Sequence, residues 1–352
     1  MKSNSFSVIN FYRTPLMGLA ALMIYLFHQW EHQWVRVTCG HETIEALFNF
    51  VQRIAFYGVD IFFFLSGIGL IYAIEKHSLF RFYARRLERV YLPFLLSAIA
   101  RAVIFGWGFI ELAKKITFYD FFFVNVSSIL WFIPAIICFY LLFPAFYQLF
   151  KSFGKRSAFM LCLLLLWLLV AVGLKEQIRV DFYSVINRIP IFLLGAFFGW
   201  FIRERDCCFG IVHALIMLAC FVLGLCLSYL TIYRDLFLLV PISNCCVPAF
   251  LLTVPTVFFA AEIFSLLDKI RLGTYIVKIF SFFGKISLEL YCMHEFLDDV
   301  LRPRLSVSYE YCLAHGGRIN LIIFVCVIAA ALVLYSLCRL ILRFVHKRTK
   351  YA

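Results

Sequence analysis

His28 closes the apolar run LMGLAALMIYLFHQW, Leu16 to Trp30. A free imidazole titrates near pH 6.5, so around neutrality it takes up and releases a proton. At the end of an apolar helix it is either an interfacial residue or a group that works on a proton. Asp60 raises the same choice a few residues inside FYGVDIFFFLSGIGLIY. A carboxylate at that depth is costly unless it faces the protein interior and finds a partner, which argues for function. A third set, Lys285, Glu289, His294 and Glu295, interrupts GKISLELYCMHEFLDD. Lys285 and Glu289 have the four-residue spacing of a mutually neutralising helical pair. His294 and Glu295, further along, fit a helix end at the membrane interface.

The densest cationic cluster is FRFYARRLERVYLP, with Arg81, Arg85, Arg86 and Arg89. On a helix Arg85 and Arg89 lie four apart with Arg86 adjacent. Three guanidiniums then converge on one phosphorylated ligand, whose oxygens suit their fork geometry. The alternative is topological, since short cytoplasmic segments collect arginines that touch anionic lipid. Trp131 in LWFIPAIICFYLLFP is an interfacial belt residue by default, and Pro134 is tolerated in a first helical turn. Gly58, Gly67 and Gly69 suit close helix approach around Ser66.

The elements that must position these residues are membrane helices. The chain of 352 residues is 64% hydrophobic and 15% charged, against about 45–50% and 25% in soluble domains. Its mean hydropathy is +0.93. Ten spans are predicted, over 15–30, 54–74, 90–110, 130–150, 157–174, 188–202, 209–230, 236–264, 276–297 and 320–345. The eighth carries Pro241, Pro248 and Pro255 and is expected to be kinked, broken or re-entrant. The fold class is therefore an all-α polytopic helical bundle, one transmembrane domain over 1–352 with no soluble domain between spans. No internal repeat and no cleavable signal is evident. Thirteen Cys form no CxxC pair, and the doublets Cys207-Cys208 and Cys245-Cys246 lie beside or within spans, so no metal site is expected.

The net charge of +13 does not require nucleic acid, because its cations sit in short segments between spans. With the N-terminus inside, cytoplasmic segments carry 19 of the 33 Lys and Arg and outer segments 11, Arg188 at the head of the sixth span being counted with the latter. That bias places both termini in the cytoplasm. His28 and His294 then end outward-running spans, and Asp60 and Trp131 begin inward-running ones. All four are expected in the outer part of the bundle, with the arginines at the cytoplasmic face.

Taken in order, the first-span LMIYLFH, GVDIFFFLSG, the RRLER segment leading into YLP, LWFIPAIICFYLLFP and ISLELYCMHE resemble the acyltransferase family 3 membrane proteins. The matching pieces lie mainly in the first 150 residues and the ninth span. The resemblance implies a bundle of about ten spans that moves acyl groups, often acetyl from acetyl-CoA, onto sugar hydroxyls of surface glycans. It implies that His28 takes the place of the family's essential His, and that Arg85, Arg86 and Arg89 match its basic acyl-CoA loop. Asp60, Ser66, Trp131, Tyr291 and His294 match recurrent positions. Where the family commonly has Arg, eleven residues before the His, this chain has Met17, with Arg13 one turn earlier. Some relatives append an extracytoplasmic hydrolase-like domain, which is not expected after a last span that ends near Ala352.

The expected partners are an acyl-CoA donor, a glycan or lipid-linked sugar acceptor and the lipids of the plasma (inner) membrane. His28 would act as general base and Asp60 as the carboxylate that orients it. Trp131, Tyr291, Ser66 and His294 would line the acceptor pocket. The rival reading is a proton-coupled transporter or flippase of a glycan or small solute, which also carries intramembrane Asp, His and Glu and a Pro-broken span.

Overall fold

The computed structural model describes residues 6–31, 41–124, 130–173, 184–205, 210–234, 246–304 and 309–348. Regular structure among the described residues is entirely helical, and the protein is a polytopic helical membrane bundle. In chain order the α-helices are α1 (Ser7–Phe11), α2 (Arg13–Glu31), α3 (Glu42–Ile54), α4 (Gly58–Ile74), α5 (Leu79–Phe105), α6 (Phe109–Ile116) and α7 (Phe132–Ser152). They continue as α8 (Arg156–Gly173), α9 (Ile189–Glu204), α10 (Ile211–Arg234), α11 (Cys246–Leu267), α12 (Arg271–Lys285), α13 (Ser287–Arg304) and α14 (Tyr309–Arg348). Among the described residues, seven stretches are long and apolar enough to cross a membrane. They do not include α2, α5 or α13, the helices that carry most of the polar residues singled out above.

Several spans differ from expectation, among them the third, whose helix begins at Leu79 rather than at 90. The second is preceded by α3 and a short 3-10 turn, so the helical stretch runs from Glu42 to Ile74. The eighth continues unbroken through Pro255 within α11, while Pro241, like Cys207, Cys208 and Cys245, lies outside the described residues. The ninth is two helices, interrupted at Ile286. Lys285 and Glu289 therefore do not share a helix, and the four-residue pairing does not apply.

The chain divides into two compact units. The first comprises Met1–Leu22, Phe56–Phe82 and Cys138–Lys285. Its centre is the seam between α4 and α9, where glycine replaces side chain on both helices. A Cβ at Gly67 would collide with the Phe192 carbonyl, one at Gly195 with the Phe64 carbonyl, and one at Gly199 with the Ile68 backbone. Because 64 meets 195 and 68 meets 199, the two helices run parallel. Small residues at a helix crossing let backbones approach and gain dispersion contact, the main attraction available in lipid. Near the head of this seam, Asp60 on α4 lies 3.3 Å from Arg188, the residue preceding α9, and both side chains are almost fully buried.

In the same unit, the first part of α2 crosses α12 backbone to backbone. Gly18 abuts the Phe280 carbonyl and Gly284 abuts the Thr14 carbonyl, an antiparallel order. Arg13 lays its guanidinium against Gly69. Along one continuous helix, fifteen residues separate Arg13 from His28, or about 22 Å of rise. Arg13 therefore does not reach His28.

The second unit comprises Met23–Ala55, Tyr83–Ile137 and Ile286–Ala352. Its central helix is α13, whose residues are nearly all buried from Ser287 to Asp298 although five of them are polar: Ser287, Glu289, His294, Glu295 and Asp298. Contacts fix the directions of its neighbours. Tyr25, His28 and Gln29 of α2 meet His294, Glu295 and Asp298 in ascending order. Arg89 and Arg101 of α5 meet Glu289 and Asp299, again ascending. Helices α2, α5 and α13 therefore run parallel within this unit.

Candidate active site

The polar core of the second unit is built where the last turn of α2 lies along α13. His28 Nδ1 is 2.9 Å from Glu295 Oε1, with side chains 16% and 3% exposed. A carboxylate only accepts, so Nδ1–H donates, and the lone pair of the neutral ring falls on Nε2. A nearby rung, from Gln29 Nε2 to Asp298 Oδ2 at 3.2 Å, is also buried and ties the same two helices together. This is the arrangement of a general base whose tautomer and orientation are set by an acid.

His294 packs against this pair, its ring centroid 4.8 Å from that of His28 and 5.5 Å from that of Tyr291. Its Nδ1 lies 3.3 Å from the Leu290 carbonyl oxygen one turn earlier, so Nδ1 carries the proton there. The Nε2 lone pair then faces Glu295 Oε1 at 3.6 Å, and this buried nitrogen has no hydrogen-bond partner among the described residues. The side chain is 1% exposed.

The arginine cluster lies on the early turns of α5 rather than in a loop, so the helical spacing of Arg85, Arg86 and Arg89 is realised. Arg85 and Arg89 are exposed and Arg86 half-buried. Arg89 Nη1 donates at 2.6 Å to Oε1 of Glu289, a carboxylate with no exposed surface. Glu289 is thus neutralised from α5. From Glu289 to Glu295 is six residues of α13, or about 9 Å of rise. Further along α5, Arg101 lies 3.2 Å from Asp299 and 5.3 Å from the Phe296 ring centroid.

Of the residues singled out from the sequence, His28, Arg85, Arg86, Arg89, Trp131, Tyr291 and His294 all belong to the second unit. Tyr291 is buried and stacks edgewise on Phe132, the neighbour of half-buried Trp131, at 5.6 Å. Asp60 and buried Ser66 belong to the first unit. The carboxylate at His28 is that of Glu295, whereas Asp60 is engaged by Arg188. His294 and Glu295, expected at an interface, are buried. Sequence reasoning gave Glu295 only an interfacial place and assigned no role to Gln29, Asp298 or Arg188. The acids left a signal, a helix with polar residues on several faces, but Arg188 looked like one more loop cation.

The second unit thus holds parallel helices with a buried carboxylate paired to a part-exposed imidazole and arginines toward one end, in a multi-pass membrane protein. Residues 16–340 match the family model described as an acyltransferase domain, and the chain belongs to that family, acyltransferase family 3. It is a membrane acyltransferase. No protein of curated function and no solved structure gives a match to this chain.

Proposed function

We propose that the protein transfers an acyl group, most simply acetyl, from cytoplasmic acyl-CoA to a hydroxyl of an extracytoplasmic or membrane-associated glycan in the plasma membrane. The observation that carries this reading is the His28–Glu295 pair at 2.9 Å inside a membrane acyltransferase. His28 Nε2 takes the proton of the acceptor hydroxyl as its oxygen attacks the thioester carbonyl. The tetrahedral intermediate expels the thiolate of CoA, which recovers the proton from the imidazolium. Glu295 holds Nδ1–H throughout and stabilises the cationic ring.

Arg85 and Arg86, with Arg89 braced by Glu289, hold the phosphates of the donor. The short rise between Glu289 and Glu295 favours direct transfer, with the pantetheine arm lying along α13. Tyr291, Trp131 and His294 line the acceptor side, while Asp60 and Ser66 support the α4–α9 seam. Family membership favours this over a proton-coupled carrier.

The test is transfer of label from radiolabelled acetyl-CoA to glycan in membranes bearing the protein, alongside uptake of unmodified solute. Label on the glycan is expected. Solute movement without label transfer would replace this reading with transport.

A further inference from the structure

We propose that His28, His294 and Glu295 also form a Zn2+-binding site, and that the bound ion shuts off the base. The shut-off rests on the acyl-transfer reading, whereas the binding does not. One ligand atom from each of the three side chains lies within 4.8 Å of the others. Zinc bonds of about 2.0–2.2 Å to nitrogen and oxygen place neighbouring ligands of a tetrahedral ion about 3.4 Å apart. Two separations in the cluster, 2.9 Å and 3.6 Å, already straddle that spacing. No pair of ligand atoms in the cluster is more than 4.8 Å apart, so closing by at most about 1.4 Å brings every edge to that spacing.

The second observation is His294 itself. With its proton directed to the Leu290 carbonyl, Nε2 presents a lone pair toward the lone pairs of Glu295 Oε1. Both groups are buried, and Nε2 has no hydrogen-bond partner among the described residues. Two acceptors facing each other in a low-dielectric interior repel, and a cation shared between them removes that cost. Two imidazole nitrogens and one carboxylate oxygen make a three-ligand zinc set that leaves a fourth position open. Gln29 and Asp298 brace the two helices that supply the ligands.

Binding through Nδ1 of His28 takes the nitrogen that now donates to Glu295. The neutral ring then carries its single proton on Nε2, so no lone pair is left to receive one from an acceptor hydroxyl. Zinc occupancy and base catalysis exclude each other.

The test uses the purified full-length protein in detergent, stripped with a chelator and titrated with Co2+ as a spectroscopic probe. One Co2+ per chain with the strong visible absorption of a tetrahedral ion is expected, displaced by one equivalent of Zn2+. His294→Ala and Glu295→Gln, each confirmed as folded by thermal unfolding, should weaken binding at least about tenfold, the lower end of the effect of altering a ligand's support. If either variant does not fold, the other carries the comparison. No stoichiometric Co2+ on folded wild-type protein, or unchanged affinity in the folded variants, overturns the site. Separately, Zn2+ should abolish acyl transfer and a chelator restore it. Full activity at saturating Zn2+ overturns the shut-off. Metal binding by a protein with no acyl transfer under any condition would sink the catalytic reading and leave the site standing.

Discussion

Two buried charge clusters, one in each unit, invite comparison. In the first unit Asp60 faces Arg188, and in the second Glu295 faces His28. Burial is similar for the two acids, yet their partners differ in one property. A guanidinium stays protonated at any physiological pH, so the Asp60–Arg188 pair is a fixed dipole that gives up nothing. An imidazole, unlike a guanidinium, is able to give up its ring proton, and the proposed reaction uses the His28–Glu295 pair in that way. The surroundings follow suit. Glycine-packed α4 and α9 brace the Asp60–Arg188 pair, whereas the His28–Glu295 pair sits beside a second imidazole whose Nε2 has no hydrogen-bond partner among the described residues. An intramembrane acid therefore signals function or architecture according to what it faces.

Substitutions can break this comparison. Arg188→Met should have the largest effect on stability, about 3–5 kcal/mol, because it strands the Asp60 carboxylate. The double change Asp60→Leu with Arg188→Met should recover most of that loss in thermal unfolding of the detergent-solubilised protein. An Asp60→Asn protein that folds normally yet has no activity would move Asp60 from architecture to chemistry. Glu295→Gln should do the reverse, leaving unfolding nearly unchanged while slowing acyl transfer about 10²–10⁴-fold, the range of a mispositioned base.

Smaller changes sharpen the contrast further. Gly195→Ala forces a methyl into the Phe64 carbonyl and should cost about 1–3 kcal/mol, read as a lowered unfolding temperature. If Arg85, exposed on α5, grips a phosphate as proposed, Arg85→Ala should raise KM for acyl-CoA about tenfold with kcat little changed, as expected for one charge-assisted hydrogen bond. A fall in kcat with KM unmoved would place Arg85 outside the donor site.

Much of this was legible in the sequence, and the exceptions share a cause. Apolar runs gave the bundle, and the spacing of Arg85, Arg86 and Arg89 survived because helical geometry is local. The partner of His28 was not legible, because Glu295 lies at the other end of the chain and only packing brings α2 and α13 together. The burial of the polar residues on the site helix was not legible either. α13 holds Ser287, Glu289, His294, Glu295 and Asp298 against protein rather than lipid, so its mean apolarity is low although it is buried. The break at Ile286 hid for a related reason. Gly284 gives up its side chain to the Thr14 carbonyl, a requirement that only the contact reveals.

The central claim is that His28, oriented by Glu295, is the base for acyl transfer. The most direct measurement is acyl transfer from labelled acetyl-CoA by wild-type, His28→Ala, Glu295→Gln and doubly substituted protein in membranes, with acyl-CoA binding followed in parallel. Loss of about 10²–10⁴-fold in His28→Ala is predicted, with donor binding retained and the double variant no slower than His28→Ala alone. Full transfer by His28→Ala, or losses at His28 and Glu295 that multiply independently, would contradict the account.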